Sequence, residues 1–238
     1  MPRLRSARCA VVGLGGVGSW VVEGLARTGF GGLTLVDFDD VCISNTNRQL
    51  HALMGTVGRP KVDVMAERVA QINPDCSVTA VNSWFEERTA DEILDKQPLD
   101  VVVDAIDDVA EKCRLIDCCR RRGIPIVVSG GLGNRMDPTR FREADIARAH
   151  SDGLLKRVRK TLRTRYEGYP AGDPLSSKKW GVPCVFSDEI LEPQLEESRD
   201  KMGVVRRTCD TTYGTFCPAA GALGFTLAHS ATKLAIGS

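Results

Sequence analysis

The chain of 238 residues carries 32 Lys and Arg against 31 Asp and Glu, a formal charge of +1, with 42% hydrophobic and 26% charged residues. That balance excludes a disordered polyelectrolyte and a globally basic nucleic-acid binder, so any surface for a polyanion must be local. The length suits one sizeable α/β core, or a core with a small appended lobe, and nine cysteines without a secreted-type framework read as reduced thiols in a cytoplasmic compartment.

Met1 to Arg8 holds Arg3, Arg5 and Arg8 and no acid, and reads as a basic tail too short for a transit peptide. Cys9 to Val12 is an apolar strand running into a glycine turn. A helix over about Val17 to Arg27 follows, stopped by Gly29. Leu33 to Val36 is a second strand with Asp37 at its carboxyl end. A helix near Pro60 to Ile72 aligns Val62, Met65, Val69 and Ile72 on one face. Cys76 to Val81 reads as a strand, and Thr89 as the cap of a short helix. Asp100 to Asp104 is apolar enough to be covered on both faces, as strands of parallel sheets are. A helix over about Val109 to Arg122 stops at Gly123, and Ile124 to Val128 is another buried strand.

Repeated strand–helix–strand units predict right-handed crossovers and an α/β fold with a doubly wound, mostly parallel, Rossmann-like sheet. After Gly130 and Gly131 the pattern loosens. A helix over Leu154 to Tyr166, a strand over Cys184 to Ser187 and a charged, mobile loop over Gln194 to Arg207 are expected. Phe216 to Ile236 is rich in Gly, Ala and Ser and is interrupted by His229 and Lys233, so it reads as a helix buried on the sheet and not as a membrane span. The expected organisation is a single domain, 1–238. A nucleotide-binding core spans 1–130, and 131–238 forms a substrate-side extension of the same domain.

Ligands of such sheets bind outside the carboxyl ends of the strands. Gly13, Gly15 and Gly18, with Asp37 some twenty residues on for ribose hydroxyls, match the dinucleotide fingerprint and by themselves suit a nicotinamide or flavin enzyme. Gly16 adds a glycine, letting backbone N–H groups come closer to phosphate. Ser44, Asn45, Arg48, Gln49 and Lys61 then follow the second strand. Hydride transfer does not need two cations and amides at that place. A triphosphate about to be cleaved does, with Arg48 as a bidentate donor and Lys61 as a point charge. Asp107 follows the fourth strand and suits a carboxylate for Mg²⁺ bridging a triphosphate or a helix cap, which Asp107 or Asp108 could fill.

The glycine loop, Val36-Asp37-Phe38-Asp39-Asp40, Ser44-Asn45 with Asn47-Arg48-Gln49, Val57-Gly58 with Lys61, and Asp104-Ala105-Ile106-Asp107 resemble the ubiquitin-activating-type (ThiF/MoeB-like) adenylating superfamily. Gln71-Ile72-Asn73-Pro74, Asp137-Pro138-Thr139 and Gly181-Val182 with Cys184 to Ser187 narrow the similarity to the tRNA threonylcarbamoyladenosine dehydratases, over nearly the whole chain. The resemblance implies ATP-dependent transfer of AMP to the carboxylate of a threonylcarbamoyl group beside the anticodon, then ring closure with loss of water. By position it implies that Gly13, Gly15, Gly16 and Gly18 hold phosphate. It places Asp37, Asp39, Ser44 and Asn45 in the nucleotide site. Arg48 and Lys61 would stabilise developing charge, and Asp107 would hold Mg²⁺.

It also implies a homodimer acting on modified tRNA, with sulfur-relay proteins as further partners. Adenylation of a ubiquitin-like sulfur carrier and a silent nucleotide-binding scaffold are the alternatives. Members of the superfamily usually begin with a helix whose arginine reaches the partner's nucleotide. Here the first strand is expected only eight residues in, which points to a shortened chain or reduced activity. Cys184 and Cys209 are candidate reactive thiols, weighed against small buried hydrophobes. No Cys-x-x-Cys motif is present for structural zinc. Ser151 to Trp180 holds eight basic residues (Lys156, Arg157, Arg159, Lys160, Arg163, Arg165, Lys178, Lys179) against three acids. This local excess is suited to a tRNA phosphate backbone.

Overall fold

Strands β1 (Arg8–Val12), β2 (Gly32–Val36), β4 (Val101–Asp104) and β5 (Ile126–Ser129) are almost entirely buried, as expected of strands covered by helices on both faces. With β3 (Ser77–Val81), β6 (Phe141–Asp145) and β7 (Pro183–Ser187) they form a sheet in the order β3-β2-β1-β4-β5-β7-β6. Every pairing is parallel except that of β6 with β7. The computed structural model describes residues 2–170, 179–190 and 214–237.

Side chains alternate between the two faces. Val11, Leu33, Val101, Val103 and Val127 pack under α2 (Gly18–Thr28), α3 (Lys61–Ile72) and α7 (Cys217–Ile236). Ala10, Val12, Val102 and Val128 pack under α4 (Glu87–Leu94), α5 (Val109–Arg122) and α6 (Gly153–Arg165). Gly29 and Gly123 end α2 and α5 in the left-handed conformation, as their positions predict. The last helix lies against the sheet and α2. A Cβ on Gly224 would stand 2.5 Å from Trp20 Cβ, so the helices meet closely only because that residue is glycine. No helix among the described residues is long and apolar enough to cross a membrane.

Several expectations are corrected. The basic N-terminal segment is not a tail: it forms the short helix α1 (Pro2–Ser6), which buries Leu4 in the core and brings Arg3 Nη1 to the Ile236 carbonyl at 3.0 Å. Thr89 is not the N-cap of α4. It lies inside the first turn, where its hydroxyl accepts from Glu86 N at 3.0 Å while the Glu86 side chain caps the helix in return. The fifth strand begins at Ile126 and not Ile124, after α5 closes on Gly123. Strand β6 is a further element beyond those the sequence marks. Residues 194–207, expected as a mobile loop, lie outside the described residues.

Candidate nucleotide-binding site

The carboxyl ends of β1, β2, β4 and β5 open into a cleft of about 600 Å³. Its floor is the turn after β1. Gly13 takes φ +88° and donates to the Val36 carbonyl at 2.8 Å, and a Cβ there would meet the Ala105 carbonyl oxygen at 2.8 Å. A Cβ on Gly18 would stand 1.8 Å from Gly13 O, so the third glycine serves the contact between helix and turn, while Gly13, Gly15 and Gly16 face the cleft. No side chain caps the start of α2; Ser19 N donates to Gly15 O at 3.2 Å and Trp20 N to Val17 O at 3.1 Å, so the amides offered to an anion are those of the glycine turn just before them.

Asp37 follows β2. Its Oδ2 accepts from Leu14 N at 2.6 Å and its Oδ1 from Asp39 N at 2.9 Å, tying the glycine turn to the second strand. Lys61, the first residue of α3, is 4% exposed, and its Nζ lies 2.6 Å from Asp39 Oδ2 and 3.7 Å from Asp37 Oδ1. The cation is therefore held at the cleft by two carboxylates. Arg48 lies across the glycine loop, its Cγ 3.3 Å from where a Cβ on Gly16 would be. Its Nη1 donates to Ser44 O and Asn47 Oδ1, each at 2.9 Å. The Arg48 segment is sewn to α2 through Trp20 Nε1, which donates to Arg48 O at 3.0 Å, and through Leu50 N, which donates to Ser19 Oγ at 3.2 Å. Buried Asn45 accepts from Cys42 N through Oδ1 at 3.0 Å and also lines the cleft.

The structure separates the two acids after β4. Asp108 caps α5, accepting from Ala110 N at 2.8 Å and Glu111 N at 2.9 Å, whereas exposed Asp107 lines the cleft. Beneath them Asp104 is wholly buried. Its Oδ1 takes a 2.9 Å bond from Lys112 Nζ and a 3.0 Å bond from Ile106 N, while Lys112 also reaches Ser129 Oγ at 3.3 Å. Burial drives the Asp104 carboxyl above the usual carboxylate range, against the pull of Lys112. Together these bonds fix the ends of β4 and β5 with respect to α5.

A turn with open amides, a carboxylate at the end of β2 and two cations in one cleft suit a nucleotide's phosphates. The ThiF family model matches residues 1–237. The chain belongs to the ThiF family. This ThiF-family chain is 42% identical to the tRNA threonylcarbamoyladenosine dehydratase of Escherichia coli (strain K12), over 95% of its length and 85% of that protein's. It is 46% identical to the enzyme of the same name from Bacillus subtilis (strain 168), over 84% of this chain and 74% of that one. It is also similar to the crystal structure of E. coli tRNA N6-threonylcarbamoyladenosine dehydratase, TcdA, in complex with ATP. The TM-score is 0.84 with 39% identity, covering 98% of this chain and 87% of that one.

Some features of the ThiF-family cleft escape sequence reasoning. Phe38 and Trp84 stack with centroids 3.6 Å apart and planes 21° from parallel, forming an aromatic wall after β2 and β3. Phe38 lies inside a motif the sequence does mark, but Trp84 joins it only because β2 and β3 are neighbours. His51 is 2% exposed, and burial together with the nearby Lys61 lowers it to about 4, so it is neutral. On the β5 side, Asp152 Oδ2 accepts from Gly131 N at 2.8 Å.

Cys184 is not a reactive thiol: it is fully buried on β7, and burial pushes its pKa up. Cys209 lies outside the described residues, whose cysteines are all free thiols. The basic segment divides. Lys156, Arg157, Lys160 and Arg165 are exposed on α6, and Lys179 is exposed beyond it. Arg159 is buried and donates to the Ile146 carbonyl at 3.0 Å, a structural role. Lys178 lies outside the described residues.

Proposed function

We propose that this chain transfers AMP from ATP to the carboxylate of the threonylcarbamoyl group on a tRNA adenosine, releasing pyrophosphate, and that intramolecular attack on the acyl-adenylate then closes the ring and expels AMP, with net loss of water from the nucleoside. The observation that carries the reading is the presence of Arg48 and Lys61 in the cleft lined by the glycine turn, in a chain similar along most of its length to enzymes of that name. Fixed positive charge beside the turn stabilises negative charge that grows on the phosphates as the substrate carboxylate attacks. Asp37 would take the ribose hydroxyls, and the Phe38–Trp84 wall offers a face to the base. The ring then closes within one molecule, so positioning supplies much of the rate and no enzymic nucleophile is required.

Mg²⁺ fits the donor set. It keeps most of its water and is held by one or two carboxylates plus phosphate oxygens. Asp107 is an exposed carboxylate on the cleft, and no cluster of three or more metal-binding side chains occurs among the described residues. Asp107 would hold the ion, which when bound neutralises phosphate charge. The exposed cations of α6 suit the tRNA backbone, and exposed Ile43, Leu53, Met54 and Val57 supply apolar surface for a homodimer.

The test is AMP release by the purified chain with ATP, with and without tRNA carrying threonylcarbamoyladenosine. Release that requires the modified tRNA, with the nucleoside losing the mass of one water, is expected. ATP binding with no turnover on that tRNA would overturn the reading.

A further inference from the structure

The cleft crosses four strand ends in the order β2, β1, β4, β5, a width of about 14 Å at the usual strand spacing. Asp37, the glycine turn and Asp107 occupy the first three ends, which leaves Gly130 to Gly133, after β5, as the wall facing whatever reacts with the nucleotide. This wall is tied to α6. Asp152 is 4% exposed and uses both carboxylate oxygens: Oδ1 accepts from Leu155 N at 2.9 Å and caps α6, while Oδ2 accepts from Gly131 N at 2.8 Å.

Gly130 permits the approach, since a Cβ there would stand 2.4 Å from Asp152 Oδ2. A second tie reinforces the first. Buried Arg135 donates through Nη2 to Ser151 O at 2.5 Å and through Nη1 to the Glu189 carbonyl. Ser151 itself holds φ +55°, a left-handed conformation unusual for serine, immediately before the cap. From this double anchor α6 carries its exposed cations outward, Lys156 about 6 Å and Lys160 about 12 Å along the axis from Asp152.

We propose that Asp152 is a positioning residue for the tRNA-dependent step: it holds the substrate wall at Gly131 in register with the helix that receives the tRNA backbone. The proposal rests on the tRNA reading above. A helix that moved independently of the wall would bind tRNA equally well but present the carboxylate out of line, and small misplacements are costly to rate.

The test is Asp152→Ser in the full-length chain. Serine is a good N-cap and keeps α6, but one hydroxyl cannot also hold Gly131 N. The isosteric Asp152→Asn repeats the measurement should serine pack poorly. The expected result is a kcat for tRNA-dependent AMP release lowered roughly tenfold or more, with KM for ATP and affinity for the modified tRNA unchanged. In amide hydrogen exchange, tRNA should protect both α6 and residues 131–133 in the wild type but only α6 in the variants.

A wild-type kcat in both variants overturns the assignment. So does a loss of kcat matched by a loss of ATP affinity, which marks a merely structural role. Protection of α6 without protection of 131–133 in the wild type refutes the coupling while leaving the tRNA reading intact. If tRNA protects neither segment and elicits no AMP, the functional reading itself fails, and the role of Asp152 with it.

Discussion

Arg48 and Lys61 are both cations of the cleft, but their surroundings differ. Arg48 is half-buried and bonded only to local acceptors, Ser44 O and Asn47 Oδ1. Arg48→Ala should therefore leave stability within about 0.5 kcal/mol of wild type. It should lower kcat for AMP release about a hundredfold or more, as loss of one charge-stabilising donor does. Urea denaturation and steady-state kinetics check the two halves, and a fully active variant would refute the role assigned to Arg48.

The glycines separate in the same way. A Cβ on Gly18 would collide with backbone at 1.8 Å, so Gly18→Ala should destabilise by about 3 kcal/mol or more. At Gly16 the nearest atom is the flexible Arg48 stem at 3.3 Å. Gly16→Ala should fold normally and lose kcat/KM, by displacing Arg48 and crowding the phosphate. Equal stability losses in the two variants, read from urea midpoints, would count against this division of roles.

At the scale of elements, α6 shows how one helix serves two environments. Leu155, Val158 and Leu162 are buried, and Arg159 joins them by bonding a carbonyl, while Lys156, Arg157 and Lys160 face solvent. Each exposed cation that meets a phosphate releases counterion, so neutralising the three should flatten the plot of log affinity for tRNA against log salt by about 0.7–0.9 per residue. ATP affinity should not change. Filter binding across a salt series checks this, and an unchanged slope places the tRNA elsewhere.

Elements also differ in how far the sequence shows them. Helices α2, α3 and α5 are marked by apolar spacing or glycine stops and lie within a residue or two of expectation. Strand β6, Phe-Arg-Glu-Ala-Asp, buries only Phe141 fully and has no strand-like pattern of its own. It is a strand because β7 offers it an antiparallel edge. Helix α1 has five residues, too few for any periodicity, and is held by burial of Leu4.

For the whole molecule, acid stability should carry the mark of His51. Its folded pKa of about 4 lies below the ordinary 6.5 because burial, helped by Lys61, disfavours the charged ring. Between those two values the unfolded chain binds a proton that the folded chain does not. Stability is therefore fully present above pH 6.5 and falls as pH drops towards 4, by up to roughly 3 kcal/mol. His51→Gln should flatten the fall in melting temperature over that interval relative to wild type. Parallel curves for the two proteins would show that His51 is not the group responsible.

The sequence by itself determined the doubly wound α/β class, the position of the glycine turn and the gathering of Asp37, Arg48 and Lys61 at one cleft. Local rules suffice for these: apolar runs, helix stops, and the confinement of ligands to strand carboxyl ends. Tertiary structure alone decided which neighbouring acid caps a helix and which faces the cleft, that Phe38 meets Trp84, that Cys184 is inert, and that Asp152 binds α6 to the wall after β5. Each of these depends on strand order and on contacts between distant segments, and no periodicity or spacing within a segment encodes which distant segment it will meet.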